Sequence, residues 1–194
     1  MTPKENGAAD DGPAKGDLAY NPSTDHSAAS KSSQDQFDNI PHELRAYRSW
    51  CVWRFEKPKG NGRLTKVPYN PLTRKHVSSA DPNTWCDYAT CVDAARAQSG
   101  WHGIGFVLSE QDPYCFVDFD LPKDSDGNRI DRPDVFARQL EWMQRLASYT
   151  EISPGGGVHV IVRGRVPQGR KSDFIEVYSS GRFMTMTGNV WTPQ

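Results

Sequence analysis

In three short runs of the chain the polar residues fall on a single parity, opposite a wholly apolar one. In Phe116-Val117-Asp118-Phe119-Asp120 the aspartates fall on one parity and Val117 and Phe119 on the other. In Val158-His159-Val160-Ile161-Val162 the valines share a parity that excludes His159, and in Phe174-Ile175-Glu176-Val177-Tyr178 Ile175 and Val177 are separated from Glu176. Successive side chains leave a strand on opposite faces, so each run predicts a strand with one apolar face and one face that carries chemistry. If the three are neighbours, that second face gathers Asp118, Asp120, His159 and Glu176, with the acidic face open and His159 pointing outward.

Around these runs the pattern predicts a mixed set of elements. Pro41 to Tyr47 reads as a short helix, and Ser49 to Glu56 with Leu64 to Tyr69 as a hairpin across Pro58-Lys59-Gly60-Asn61-Gly62. Asp81-Pro82 should start a helix that Gly100 stops, running to about Gln98, because Asp caps well and Pro is tolerated in a first turn. Strands follow at Gly103 to Leu108 and Tyr114 to Asp120. A second helix fits Pro133 to Ala147, where Val135, Leu140, Met143 and Leu146 stand near helical spacing. Three strands are then expected, at Val158 to Val162, Phe174 to Tyr178 and Arg182 to Thr187. Strands interrupted twice by a helix predict an α+β fold, a sheet with helices on one face.

Composition narrows the possibilities. Residues 1–36 hold six acids, three lysines and one aromatic, too little apolar surface to offset the entropy of ordering, so they are expected to be a disordered tail before a folded domain over 37–194. No apolar run approaches the roughly 20 residues needed to cross a bilayer, and Met1 is followed by polar sequence, which predicts a cytoplasmic protein with no membrane partner. The cysteines at 51, 86, 91 and 115 form no CxxC pair and read as ordinary buried thiols. A near-neutral total of −1 hides a strong layout. Arg45 to Lys75 holds nine bases against Glu56 alone, Ala80 to Glu151 nets −7, and Ile152 to Gln194 has five bases and two acids. An acidic centre flanked by basic ground suits a metal site beside a polyanion.

Three carboxylates brought onto one face repel one another, and divalent cations relieve that repulsion; hard oxygen ligands select Mg²⁺ or Mn²⁺. Two such ions can hold the attacking and leaving oxygens of an in-line phosphoryl displacement. Ser153-Pro154-Gly155-Gly156-Gly157-Val158-His159 adds a strand, a Gly-rich loop and a strand, in which glycines let backbone amides approach an anion and Ser153 and His159 add donors. Gly164 to Ser172 only imitates a phosphate loop, since Arg170 displaces the lysine and no helix follows, and Asp124 to Asn128 reads as a solvated turn.

Taken in order, Thr65-Lys66-Val67-Pro68-Tyr69, Asp81-Pro82-x-Thr84-Trp85, Gly103-Ile104-Gly105-Phe106-Val107-Leu108, Val117-Asp118-Phe119-Asp120, the stretch from Ser148 to His159 and Ile175-Glu176-Val177-Tyr178-Ser179-Ser180-Gly181-Arg182-Phe183 resemble the primase-polymerase domain of phage and plasmid replication proteins, in the archaeo-eukaryotic primase superfamily. The resemblance covers roughly residues 40 to 190. It implies a catalytic core like an RNA-recognition fold with an open catalytic face, a template-dependent DNA polymerase or primase, and two Mg²⁺ or Mn²⁺ ions on Asp118, Asp120 and Glu176. It also implies nucleotide contacts from Ser153, Gly156, His159, Arg182 and Phe183. The loop has Ser-Pro-Gly-Gly-Gly where the family often has Ser-Pro-Ser-Gly, and Glu176 stands where many members have Asp. Partners would be a DNA primer-template or single-stranded DNA, dNTPs or rNTPs, and a helicase domain or partner, with the chain acting as a monomer. The basic residues Arg54, Lys57, Lys59, Arg63 and Lys66 are expected to track nucleic acid. Two other readings stand beside it: a metal-dependent nuclease using the same carboxylates, and a non-catalytic single-strand-binding module with Trp50, Trp53 and Tyr69 stacking on bases beside the basic hairpin. Because Gln194 follows closely on the last expected strand, the chain is expected to extend primers better than it starts them.

Overall fold

The structure is a computed structural model that describes residues 36–58, 62–172 and 174–192. The expected tail therefore lies outside the described residues except for Gln36, as does the tip of the first hairpin with Lys59. Among the described residues nine strands form two antiparallel sheets, where a single sheet was expected. The first sheet runs β2 (Thr65–Tyr69), β1 (Trp50–Glu56), β3 (Gly103–Leu108), β9 (Arg182–Met186). The second runs β5 (Tyr149–Ile152), β6 (Val158–Arg163), β4 (Tyr114–Phe119), β8 (Ile175–Tyr178), β7 (Arg170–Ser172). The short strands β5 and β7 fall outside the strands expected by position. β7 is three exposed residues with no apolar alternation to mark it.

The helices are α1 (His42–Arg45), α2 (Tyr88–Arg96) and α3 (Pro133–Leu146). The helix expected from Asp81 to Gln98 is divided into a 3-10 turn at Pro82–Thr84 and α2, each capped by its own aspartate: Asp81 accepts from the Asn83 amide, and Asp87 from the Thr90 amide. The break has a tertiary cause. Cys86 exchanges both backbone hydrogen bonds with Trp50 at 3.0 and 2.8 Å, which takes Trp85 and Cys86 into extended conformation. α3 opens on Pro133 and closes where Ala147 turns left-handed, its amide bonded to the Met143 carbonyl.

Each face of the second sheet has its own partner. Val117, Phe119, Val160 and Val177 pack with Met143 and Leu140 of α3, beside an apolar cavity of about 550 Å³ that also reaches Trp142. The other parity, Tyr114, Phe116, Ile161 and Tyr178, packs with Trp50, Ile104, Phe106 and Met184 of the first sheet. The face that carries Asp118 is thus not an open sheet surface as expected. It is the inner face of a sandwich for half its length, and the carboxylates lie where that packing ends. All four cysteines are free and buried, as expected, and burial pushes the Cys51 and Cys91 thiols up.

Trp50, Trp53 and Tyr69 are 0%, 3% and 4% exposed, so the base-stacking role considered for them is overturned. Their rings satisfy the core instead: Trp50 meets Tyr88 and Phe106 edge to face at 4.9 and 5.2 Å and donates to the Leu44 carbonyl. Trp50→Ala is expected to destabilise the protein by about 3–5 kcal/mol, which equilibrium denaturant unfolding would measure.

Candidate active site

β4 lies between β6 and β8, and the register sets Asp118 opposite His159 on one side and Glu176 on the other. The row continues outward, with Glu151 of β5 opposite His159 and Lys171 of β7 opposite Glu176. Five side chains of one parity therefore cross all five strands in the order Glu151, His159, Asp118, Glu176, Lys171. The strand alternation brings together Asp118, His159 and Glu176 as the sequence predicts, and Asp120 follows one residue beyond β4, its amide bonded to the Phe174 carbonyl at 3.0 Å.

The electrostatics of the row are uneven. Burial raises the Asp118 carboxyl above its ordinary value, the charges of Asp120 and Glu176 push the same way, and His159 and Lys66 only partly offset them. His159 Nε2 stands 3.7 Å from Asp118 Oδ1. For Glu176 burial opposes ionisation, but Lys171 and the Tyr178 hydroxyl, which donates at 2.6 Å, outweigh it and hold the carboxyl below its ordinary value. Arg182 lies over the Tyr178 ring at 4.1 Å and adds to that pull. Lys66 reaches across from β2, and burial lowers its ammonium against the attraction of Asp118 and Asp120.

The Ser153 to Gly157 turn closes on itself, the Ser153 amide donating to the Gly157 carbonyl at 2.8 Å and the Gly156 amide to the Ser153 carbonyl at 2.9 Å. Gly156 has φ +83°, and a Cβ on Gly157 would lie 2.5 Å from the Phe119 carbonyl oxygen. Glycine is needed at both, at the first for its backbone and at the second because the turn is pressed against the end of β4 beside Asp120. Arg129, from the solvated turn whose form the sequence anticipated, donates to the Gly155 carbonyl at 2.8 Å and places a cation on the glycine loop.

Not every expected residue joins the site. His159 was expected to point outward, yet it is 3% exposed, because β5 and the chain after β9 cover that edge of the sheet. Phe183 packs beside Cys51, Val77, Trp85 and Val107, on the parity of β9 opposite to Arg182. Arg54 is engaged by Glu56 and Tyr69, whereas Lys57 and Arg63 stand exposed, Arg63 donating to the Asp126 carbonyl. Residues the sequence reading passed over include Glu151, Lys171, Lys123 and Arg129. Lys123 and Lys171 line, with Asp120 and Glu176, a cleft of about 440 Å³. Strand register would have found Lys171 and Glu151, but the strand before the glycine loop was expected without bounds and β7 was not expected.

Among the described residues no three His, Cys, Asp or Glu side chains converge on one point as a metal would require, and Glu176 gives its oxygens to Lys171 and Tyr178. The donor chemistry nonetheless fits a hard cation: Asp118 carries a carboxylate short of compensating charge beside Asp120, and both offer only oxygen.

No protein-family model matches the chain. The chain is, however, 42% identical over 159 residues to a DNA primase-polymerase of Nitratiruptor phage NrS-1, which covers 76% of this chain and 20% of that protein. Over that stretch the chain is similar to part of a primase-polymerase. It spans about a fifth of the length of that relative, and within a mixed α+β architecture this domain places its acid pair at the end of the central strand of one sheet. Among the described residues no helix is long and apolar enough to cross a membrane.

A carboxylate whose pKa folding raises costs stability when ionised: the cost is full above the raised folded value and fades as pH falls through that value towards the ordinary one. Asp118→Asn is therefore expected to raise the thermal unfolding midpoint of this domain at neutral pH by a few degrees. The gain should shrink as pH falls and be gone by about pH 4, near the ordinary carboxylate value; an unchanged or lower midpoint at pH 7 would count against this charge balance.

Proposed function

We propose that this domain is a template-dependent nucleotidyltransferase, a DNA polymerase or primase of phage or plasmid replication built on the archaeo-eukaryotic primase core. The observation that carries the reading is the in-register placement of His159, Asp118 and Glu176 on adjacent strands, with Asp120 one step beyond and the glycine turn seated against it. Asp118, Asp120 and Glu176 would hold two Mg²⁺ or Mn²⁺ ions, which when bound stabilise charge on the attacking and leaving oxygens of an in-line displacement. In that reaction the terminal hydroxyl oxygen of the primer bonds to the α-phosphorus of a nucleoside triphosphate and pyrophosphate leaves.

The chain's own groups supply the rest. The Ser153 to His159 turn offers backbone amides and the imidazole to the triphosphate, with Gly156 allowing the close approach. Lys123 and Lys171 line the cleft beside Asp120 and Glu176 and bring positive charge to the departing phosphates. Arg182 acts from above Tyr178. The exposed Lys57 and Arg63 at the first hairpin, with Lys59 beside them in sequence and Arg54 and Lys66 along its strands, would track the backbone of a primer-template or single-stranded DNA. Phe183 serves best as packing that sets β9. The domain would work as a monomer in the host cytoplasm, with dNTPs or rNTPs as substrates and a helicase domain or partner to expose template.

Labelled primer-template, dNTPs and Mn²⁺ test the reading directly: the wild-type chain should lengthen the primer, where a nuclease would shorten it and a binding module retain it unchanged. Asp118→Ala or Asp120→Ala should reduce extension below a few per cent of wild type while template binding persists, and substantial extension by either would refute the carboxylate assignment. Template affinity should fall steeply with salt through counterion release. Neutralising Lys57, Lys59 and Arg63 together should flatten that slope, as read by fluorescence anisotropy across a salt series.

A further inference from the structure

Glu151 stands at the end of the row farthest from the cleft, and it is fully buried. A buried carboxylate is tolerated only when its lone pairs are met by donors. Here Oε1 accepts from His159 Nδ1 at 3.2 Å and the Thr187 amide at 3.0 Å. Oε2 accepts from the Tyr149 hydroxyl at 2.9 Å, the Gly188 amide at 2.9 Å and the Thr187 amide at 3.1 Å. Burial and the adjacent Glu151 charge push the Tyr149 phenol up, so it stays a donor.

A carboxylate is an acceptor only, so one hydrogen of the His159 ring is held at Nδ1, and Nε2, the nitrogen left to face Asp118 at 3.7 Å, carries the second when it donates to a phosphate. The ring is further confined by Phe116, whose centroid lies 6.1 Å away at a steep angle. The same carboxylate grips the backbone just beyond β9, the strand that carries Arg182, and the following residues pair with β5: the Ile152 amide donates to Asn189 and the Trp191 amide to Thr150. One buried group thus fixes both the orientation of His159 and the point where the first sheet is stitched to the edge of the second.

We infer that Glu151 is a positioning residue for nucleotide binding: it aims His159 Nε2 at the incoming triphosphate through its hydrogen bond to Nδ1. The inference rests on the nucleotidyltransferase reading, and its test separates the two. With saturating primer-template and the full 194-residue chain, Glu151→Gln should raise the apparent nucleotide KM about ten-fold, the scale of a lost hydrogen bond to a charged group, while turnover at saturating nucleotide changes less. In a His159→Ala background the same substitution should change KM by less than about two-fold, since the two residues act as one unit. An equal factor with and without His159 would overturn the inference, because a purely structural defect would add. Should Glu151→Gln fail to fold, Glu151→Asp, which keeps the charge but withdraws it from Nδ1, goes through the same cycle with the same outcomes required.

A readout independent of activity is the ¹⁵N spectrum of histidine-labelled protein. The His159 Nδ1 resonance, identified by its loss in His159→Ala, should move in Glu151→Gln or Glu151→Asp, and an unmoved resonance would overturn the inference. Absence of primer extension by the wild type would sink the nucleotidyltransferase reading instead, and the spectrum would still report whether Glu151 holds the ring.

Discussion

Negative charge on the central strand of the second sheet is the constraint around which this molecule is arranged. Asp118 is largely removed from water, has Asp120 two residues on and Glu176 directly across the ladder, and is raised above the ordinary carboxylate value by both burial and repulsion. A packed protein retains such a group at a cost, so its neighbours are informative about its use. Each neighbour answers with a cation or a donor: His159 on one flank, Lys66 from the opposite sheet, and Lys171, Tyr178 and Arg182 around Glu176. The compensation is complete for Glu176 and incomplete for Asp118. That asymmetry leaves Asp118 with Asp120 as the pair best placed to receive a divalent cation.

The sandwich explains why these groups meet. If the second sheet carried helices on one face and water on the other, Tyr114 and Phe116 would be exposed, and the row would be a string of solvated charges. Packing them against Trp50 and Phe106 buries one end of the face and leaves the acids at its margin, where the local dielectric is low but a substrate can still arrive. The cavity on the far side of the same sheet is larger but its surface is mainly apolar, from α3, the valine parity and Val166, with Arg138, Arg165 and Arg170 also on its lining, and the carboxylates face away from it.

The glycine turn and Glu151 complete the arrangement from the other side. The turn is held against β4 by the absence of a side chain at Gly157, and Arg129 clasps it from outside. Glu151 joins β5, β6 and the chain beyond β9 through one set of hydrogen bonds. The chain is similar to a phage DNA primase-polymerase over most of its length, and of the motifs that resemble that family those carrying Asp118, His159 and Glu176 meet here.

Strand parity is a local property of the backbone, and the sequence by itself determined that Asp118, Glu176 and His159 would share a face, that Val117, Ile175 and the valines of β6 would oppose them, and where β3 begins and ends. Helix α3 was legible for the same reason, with its proline start and periodic apolar stripe intact. Tertiary structure alone decided how deep each residue lies and which strands become neighbours. It sank His159 beneath β5, took Trp50, Trp53 and Tyr69 into the core, and broke a helix at Trp85 and Cys86 because Trp50 needed a backbone partner there. It also supplied Glu151 and Lys171, charged residues on strands too short for any periodic pattern, whose roles follow from the strand each one faces. Alternation fixes direction within four or five residues, whereas burial and pairing depend on residues more than thirty positions away, such as Glu151 and Gly188.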